Sequence, residues 1–181
     1  MVNLSYDELQ DGLGHVQNSP TNAGLIEMIV VRPAIDQRSQ PMTAELVVGQ
    51  GVIGDSYVTR GNRSTPDGSA DPEAQVTMMN SRVLDLLTRG DRSRWPLAGD
   101  QLLVDMDLGA ANVPPGTRLS LGTAVVEVSA TPHTGCAKFT RRFGRDATRW
   151  VNSDPELNLR GINAKVVVNG TCSVGDVVTK V

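Results

Sequence analysis

The chain has 181 residues, the size of one ordinary domain with room for a substantial apolar core. Seventeen basic against twenty acidic side chains leave a formal charge of -3, which excludes a general electrostatic attraction to nucleic acid or an anionic membrane; no apolar run approaches the roughly 20 residues of a spanning helix. Aromatic residues make up only 3%, and glycine (18) and proline (10) break the chain often, so the composition predicts many short strands joined by turns.

In chain order, Ser5 with Glu8 three residues later reads as a capping box, flanked by Leu4 and Leu9 as a staple, and predicts a helix over Tyr6 to Leu13. The N-terminus lacks the basic and apolar regions of a signal peptide, so a cytoplasmic location is expected. GLIEMIVVRP is a β-branched and aliphatic run halted by Pro33, a strand over Leu25 to Val31, and AELVVG is the next. GVIGDSYVTRGNRSTPDGSADPEA then has few aliphatic side chains and reads as a long surface loop that borders a site.

QVTMMN predicts a strand, and Asn80 or Ser81 caps a helix ended by Gly90, with Val83, Leu84, Leu86 and Leu87 on its buried face. DRSRWPLAGD reads as a loop. QLLVDMDLG, TRLSLG and AVVEVSA predict three strands, the last two a hairpin across Gly122. Two helical pieces, CAKFTRRFG and DATRWVN, precede RGINAKVVVNGTCSVGDVVTKV, read as two strands around Asn169 and Gly170. These elements predict one mainly β domain, a closed or nearly closed barrel over residues 24–181, with a few peripheral helices and an N-terminal helix and loop extension over 1–23.

The stretch PHTGCAKFTRRFG carries the chemistry. With a helix starting near Cys136, Phe139 and Phe143 bury one face while Lys138, Arg141, Arg142 and Arg145 crowd the rest. A thiol in the first helical turn meets unpaired amides and the positive end of the dipole, and basic neighbours add to that, so the thiolate is favoured. Gly135 allows close approach to the backbone, and His133 is placed to donate a hydrogen bond or shuttle a proton. The basic residues of this helix read either as a solvated face or, with the amides of its first turn, as a site for an anion such as phosphate, which suggests a phosphorylated cofactor. The alternative for Cys136 is inert packing, the common fate of a free cysteine; Cys172, without such neighbours, is assigned to packing, and His15 to the surface. Two cysteines are too few for a disulfide framework.

Read together and in order, GLIEMIVVRP, GVIGDSY, QVTMMNSRVLDLL, AGDQLLV, PPGTRLSLGTAVVEVS, PHTGCAKFTRRFG and RGINAKVVVNGTCSVGD resemble a MOSC domain, the family named after the C-terminal domain of molybdenum cofactor sulfurase. The resemblance implies a barrel of the pyruvate-kinase β-barrel type that binds molybdenum cofactor, a pterin with a dithiolene and a phosphate, through Cys136. In the family this sulfur ligates molybdenum, as in enzymes that reduce N-hydroxylated compounds, or carries sulfur as a persulfide, and the family has an association with pyridoxal phosphate enzymes. His133 and Asp55 are then candidate proton donors, Lys138, Arg141 and Arg142 suit the pterin phosphate by charge and position, Thr134 and Gly135 are assigned to cofactor binding, and Arg60 and Arg160 are candidates for the site rim. The implied partners are a small-molecule substrate and a separate electron-donor or sulfur-donor protein; the competing reading is a carrier module without catalysis, or a barrel without cofactor. Two departures stand out. Gly54-Asp55-Ser56-Tyr57 replaces the Gly-Asp-Arg-His of many members, leaving Arg60 or Arg63 to substitute, and Gly99-Asp100-Gln101-Leu102 replaces Gly-Glu-Asn-Leu.

Overall fold

The alternation and turn chemistry of the sequence are realised in a computed structural model that describes residues 3–62 and 65–181; Arg63 lies outside the described residues. The capping box forms in both directions. Glu8 N donates to Ser5 Oγ at 3.3 Å and Ser5 N donates to the Glu8 carboxylate at 2.8 Å, starting α1 (Tyr6–Asp11). Gly12 then separates it from a second short helix, α2 (Leu13–Gln17), where one continuous helix was expected.

Among the described residues seven strands close a barrel: β1 (Gly24–Ile29), β10 (Val177–Lys180), β6 (Arg118–Leu121), β7 (Ala124–Val128), β8 (Ile162–Val168), β4 (Val76–Asn80) and β5 (Leu102–Asp105), with β5 returning to β1. Neighbours run antiparallel except β4 and β5, whose parallel pairing follows from the outer crossover through α4 (Ser81–Thr88). Asn80 caps α4 by accepting from Arg82 N at 2.9 Å, and Val83, Leu84 and Leu87 are its buried side.

β4 reads VTMMN without alternation because both its faces are covered. Met78 points into the barrel with Ile26, Leu102 and Val166, whereas Met79 points outward beneath the helices with Leu103 and Phe139. That outer layer consists of α4, a 3-10 helix (Arg92–Ala98), α5 (Ala137–Phe143) and α6 (Arg145–Val151). It buries Trp95, Phe139, Phe143 and Trp150, each contributing on the order of 1.5–3 kcal/mol by removal from water. The segment DRSRWPLAGD is therefore not a loop: Asp91 caps it through Ser93 N at 3.1 Å, and Trp95 anchors it in the core.

The closing segment holds three strands, not two. After β8 the chain leaves the barrel at Asn169, and β9 (Gly170–Ser173) joins a separate sheet in the order β3 (Gly51–Val52), β2 (Thr43–Val47), β9, before β10 returns. The switch is set by tertiary partners: Val48 N donates to Asn169 Oδ1 at 2.8 Å, and Ala44 stands opposite Cys172, whose side chain fills the core beneath. Among the described residues no helix is long and apolar enough to cross a membrane.

Candidate active site: an arginine-lined cavity beneath Cys136

A cavity of about 580 Å³ opens at the seam between barrel and helical layer. Its walls come from the 32–38 loop after β1, from α3 (Tyr57–Arg60), from the end of the 3-10 helix, from the PHTGC turn with α5, and from Arg160 ahead of β8. Among the described residues six cations line it, Arg32, Arg38, Arg60, Lys138, Arg142 and Arg160, against one lining acid, Asp36. A chain of net charge -3 has thus concentrated positive charge on one concave surface, where field lines focus.

The cations differ in how they are held. Arg32 is locked: its N and Nε donate to Asp55 Oδ2 at 2.9 and 2.8 Å, Nη2 to Asp55 Oδ1 at 3.0 Å, and Nη1 to Gly99 O at 2.6 Å. Gly99, at φ +90, ends the 3-10 helix in a left-handed conformation and turns that carbonyl toward Arg32. Arg142 spans Leu97 O at 2.9 Å and Asp36 at 3.2 Å, and Arg38 donates to Pro96 O at 2.8 Å. The side chains of Arg60 and Lys138 have neither hydrogen bond nor ion pair among the described residues, yet both line the cavity. Burial first, then the Arg32 charge, lower the Arg60 guanidinium below its ordinary value, and the Asp55 carboxylate offsets this only in part.

Behind the lining residues His133 and Arg160, Asp100 is 1% exposed, its carboxylate shared between His133 Nε2 at 2.7 Å and Arg160 Nη1 at 2.7 Å. Arg160 also donates to Ala98 O at 3.2 Å and stacks 4.8 Å from the Phe139 ring centre, while its Nε has no partner among the described residues. Arg160 reaches this place because Gly161 follows it at φ +104, packed so closely on β4 that a Cβ would overlap the Met78 carbonyl. Asp100 is held far below the carboxylate range: burial opposes ionisation, but the Arg160 charge and the His133 bond outweigh it.

Cys136 sits one residue ahead of the position expected for it, as the N-cap of α5, exposed at the cavity wall. Partial burial raises its thiol, but the amides of Phe139 and Lys138 and the Arg160 charge together bring it below the ordinary thiol value. No amide reaches full capping geometry on the sulfur, so the effect is one of converging dipoles rather than of a formed bond.

Of the residues singled out from sequence, Cys136, His133, Thr134, Lys138, Arg142, Arg60 and Arg160 meet in this one cavity. Three do not line it. Arg141 is exposed on the outer side of α5. Gly135 lies behind the wall, where its N donates to Asn152 Oδ1 at 2.8 Å and a side chain would press on Thr148 and Val151. Asp55, expected as a proton donor, has its carboxylate fully buried and accepts from Arg32 and from Tyr57 N at 2.9 Å, so its oxygens are occupied as the anchor of Arg32. Arg32, Arg38 and the role of Asp100 were not found from sequence; the only local signal was charge inside otherwise apolar runs, Arg32 after IVV and Asp100 before QLLV.

A family profile for the MOSC domain matches residues 65–179, more than half of the chain. The chain belongs to the MOSC domain family. Solved structures carry the same architecture at low identity. The YUAD protein from Bacillus subtilis has a TM-score of 0.62 at 15% identity, over 86% of this chain and 94% of that one. YiiM from Escherichia coli has 0.57 at 17%, over 87% and 69%, and YiiM from Geobacillus stearothermophilus 0.55 at 15%, over 87% and 75%. No curated protein sequence matches the chain.

Against the MOSC pattern, both departures now have places. Ser56 lines the cavity, whereas Tyr57 turns into the core and its hydroxyl donates to Asp71 O; Arg60, one turn on, presents the charge in that wall. Gln101 points away from the cavity, its Oε1 accepting from Thr77 N at 2.8 Å, and Asp100 supplies the carboxylate beneath the site.

Proposed function

We propose that this MOSC domain binds molybdenum cofactor in the arginine-lined cavity, with the Cys136 thiolate as the protein ligand to the metal. The observation that carries the reading is the meeting, in one cavity, of an exposed sulfur biased toward the thiolate and two cations, Arg60 and Lys138, whose side chains form no ion pair among the described residues. The fit is chemical as well as spatial. A volume of about 580 Å³ lies in the usual range for cofactor sites. No group of three metal-ligating side chains exists among the described residues, so a metal held here relies on Cys136 together with ligands its own cofactor brings. A soft thiolate suits that metal, and a phosphate and other anionic groups suit the walls.

When bound, the cofactor supplies the two-electron chemistry that removes oxygen from a substrate such as an N-hydroxylated compound. The chain's own residues bind and orient. Cys136 holds the metal side at the N-terminus of α5, Arg60 and Lys138 attract the anionic end, and Arg160, braced by Asp100 and Phe139, keeps a fixed positive charge beside the sulfur. Electrons would come from a separate protein. A second reading, a persulfide sulfur carrier, is favoured by one observation: Cys136 is exposed, accessible to a partner protein.

The test is the molybdenum and pterin content of the protein, expressed in a cofactor-producing host and purified without oxygen, beside Cys136→Ala. Near-stoichiometric metal in the wild type that falls at least tenfold in the variant is the expected result. Equal metal in both would remove Cys136 as ligand. Empty protein in both would sink the cofactor reading and leave the carrier.

A further inference from the structure

His133 and Arg160 occupy the two oxygens of one buried carboxylate, which fixes more than their positions. A guanidinium does not give up its proton in a protein, so Arg160 keeps Asp100 ionised, and an ionised carboxylate only accepts. The proton on the Asp100 side of the imidazole therefore sits on Nε2. Arg160 and Asp100 already cancel, and a second proton on His133 would leave a net positive charge in a buried cluster that Arg32 also faces. In keeping with this, burial first and then the Arg160 charge hold His133 below the ordinary histidine value, against the pull of Asp100.

A neutral imidazole protonated at Nε2 carries its lone pair at Nδ1. That nitrogen has no partner among the described residues, and His133 lines the cavity together with Cys136, Lys138 and Arg60. Arg160 cannot swing aside to change the arrangement, because Ala98 O, the Phe139 ring and Asp100 hold it on three sides.

We infer that His133 serves the cavity as a hydrogen-bond acceptor at Nδ1, with Asp100 and Arg160 as positioning residues, so that the ligand taken there presents an O–H or N–H donor beside an anionic group. This rests on the reading of the cavity as an anion site, and it reverses the expectation that His133 donates a proton. The proton on Nε2 is committed to Asp100, and any proton a reaction consumes enters from the ligand or solvent.

The chain has two histidines, and His15 is exposed on α2, so ¹⁵N-histidine NMR of the full chain with His15→Gln for assignment reads His133 directly. The expected result is a proton on Nε2 and a ring that stays neutral below about pH 6.5, where an ordinary histidine charges. A proton on Nδ1, or charging near 6.5, overturns the inference. Asp100→Asn, which can offer an amide N–H to Nε2, should move the proton to Nδ1; an unchanged tautomer removes Asp100 as the positioning residue.

Inorganic phosphate and sulfate then probe the ligand class, since near neutral pH phosphate carries an O–H beside its charge and sulfate carries charge alone. Phosphate should shift the Nδ1 resonance and bind about fivefold more tightly than sulfate, the worth of one neutral hydrogen bond, and His133→Phe should erase the preference. Equal binding, or none, overturns the ligand class. A protein with Nε2-protonated His133 and a phosphate preference but no molybdenum sinks the cofactor reading alone; a molybdenum-loaded protein with Nδ1-protonated His133 sinks this inference alone.

Discussion

The two cysteines of this chain show how little a sulfur atom decides for itself. Cys172 lies in β9 opposite Ala44, fully buried, and burial together with the nearby Asp176 charge pushes its thiol up to about 12. Cys136 is exposed at the cavity wall and biased the other way by two amides and Arg160. The buried side of β9 leaves the Cys172 sulfur one stabilising contact, the Ala44 backbone, which burial and the Asp176 charge outweigh. The cavity directs several stabilising groups at one point.

The largest expected effect is kinetic. With iodoacetamide at pH 7, read by peptide mass spectrometry, Cys136 should be alkylated at least about 10³-fold faster than Cys172, because only the thiolate reacts and Cys172 is also shielded. Comparable rates would break the contrast outright.

A smaller effect separates the two sites in stability. Cys172→Ser places a hydroxyl in an apolar setting and should cost about 1–3 kcal/mol in urea unfolding, whereas Cys136→Ser, on the surface, should stay within about 0.5 kcal/mol. If both variants unfold alike, Cys172 is not packed as described.

The smallest effect is the pH response, which belongs to the cavity alone. His133 has a depressed folded value, so below about pH 6.5 the unfolded chain binds a proton that the folded chain refuses. Stability should therefore fall as pH drops from 6.5, by at most about 1.4 kcal/mol per pH unit for one proton. Asp100, depressed as well, adds a loss of the same sign below the ordinary carboxylate range. A flat profile between pH 6.5 and 5, or a slope that survives in His133→Phe, would contradict the neutral histidine.

What could be read from the sequence was local. The Ser5–Glu8 box, the Asn80 cap, the hairpin across Gly122 and the alternation of AVVEV each depend on residues within a few positions, and all appear. The 3-10 helix and the exit of β9 from the barrel depend on Trp95 finding the helical core and on Asn169 meeting Val48, contacts no short window contains. The site divides in the same way. Cys136 stood out through its own neighbours, Gly135 and Lys138. Asp100 did not, because its partners are 33 and 60 residues away, and Asp55 was given a proton to donate because Arg32, 23 residues earlier, was out of view.

The barrel order carries a further consequence, for biosynthesis. β1, the first barrel strand to leave the ribosome, pairs with β10, the last, so the sheet cannot close until β10 has been made. Until then one edge of the apolar strand GLIEMI stays unpaired while the elements around the cavity are already present. An open, apolar edge of that kind is a template for pairing with another chain, so crowding on a polysome is the stage at which aggregation competes with folding.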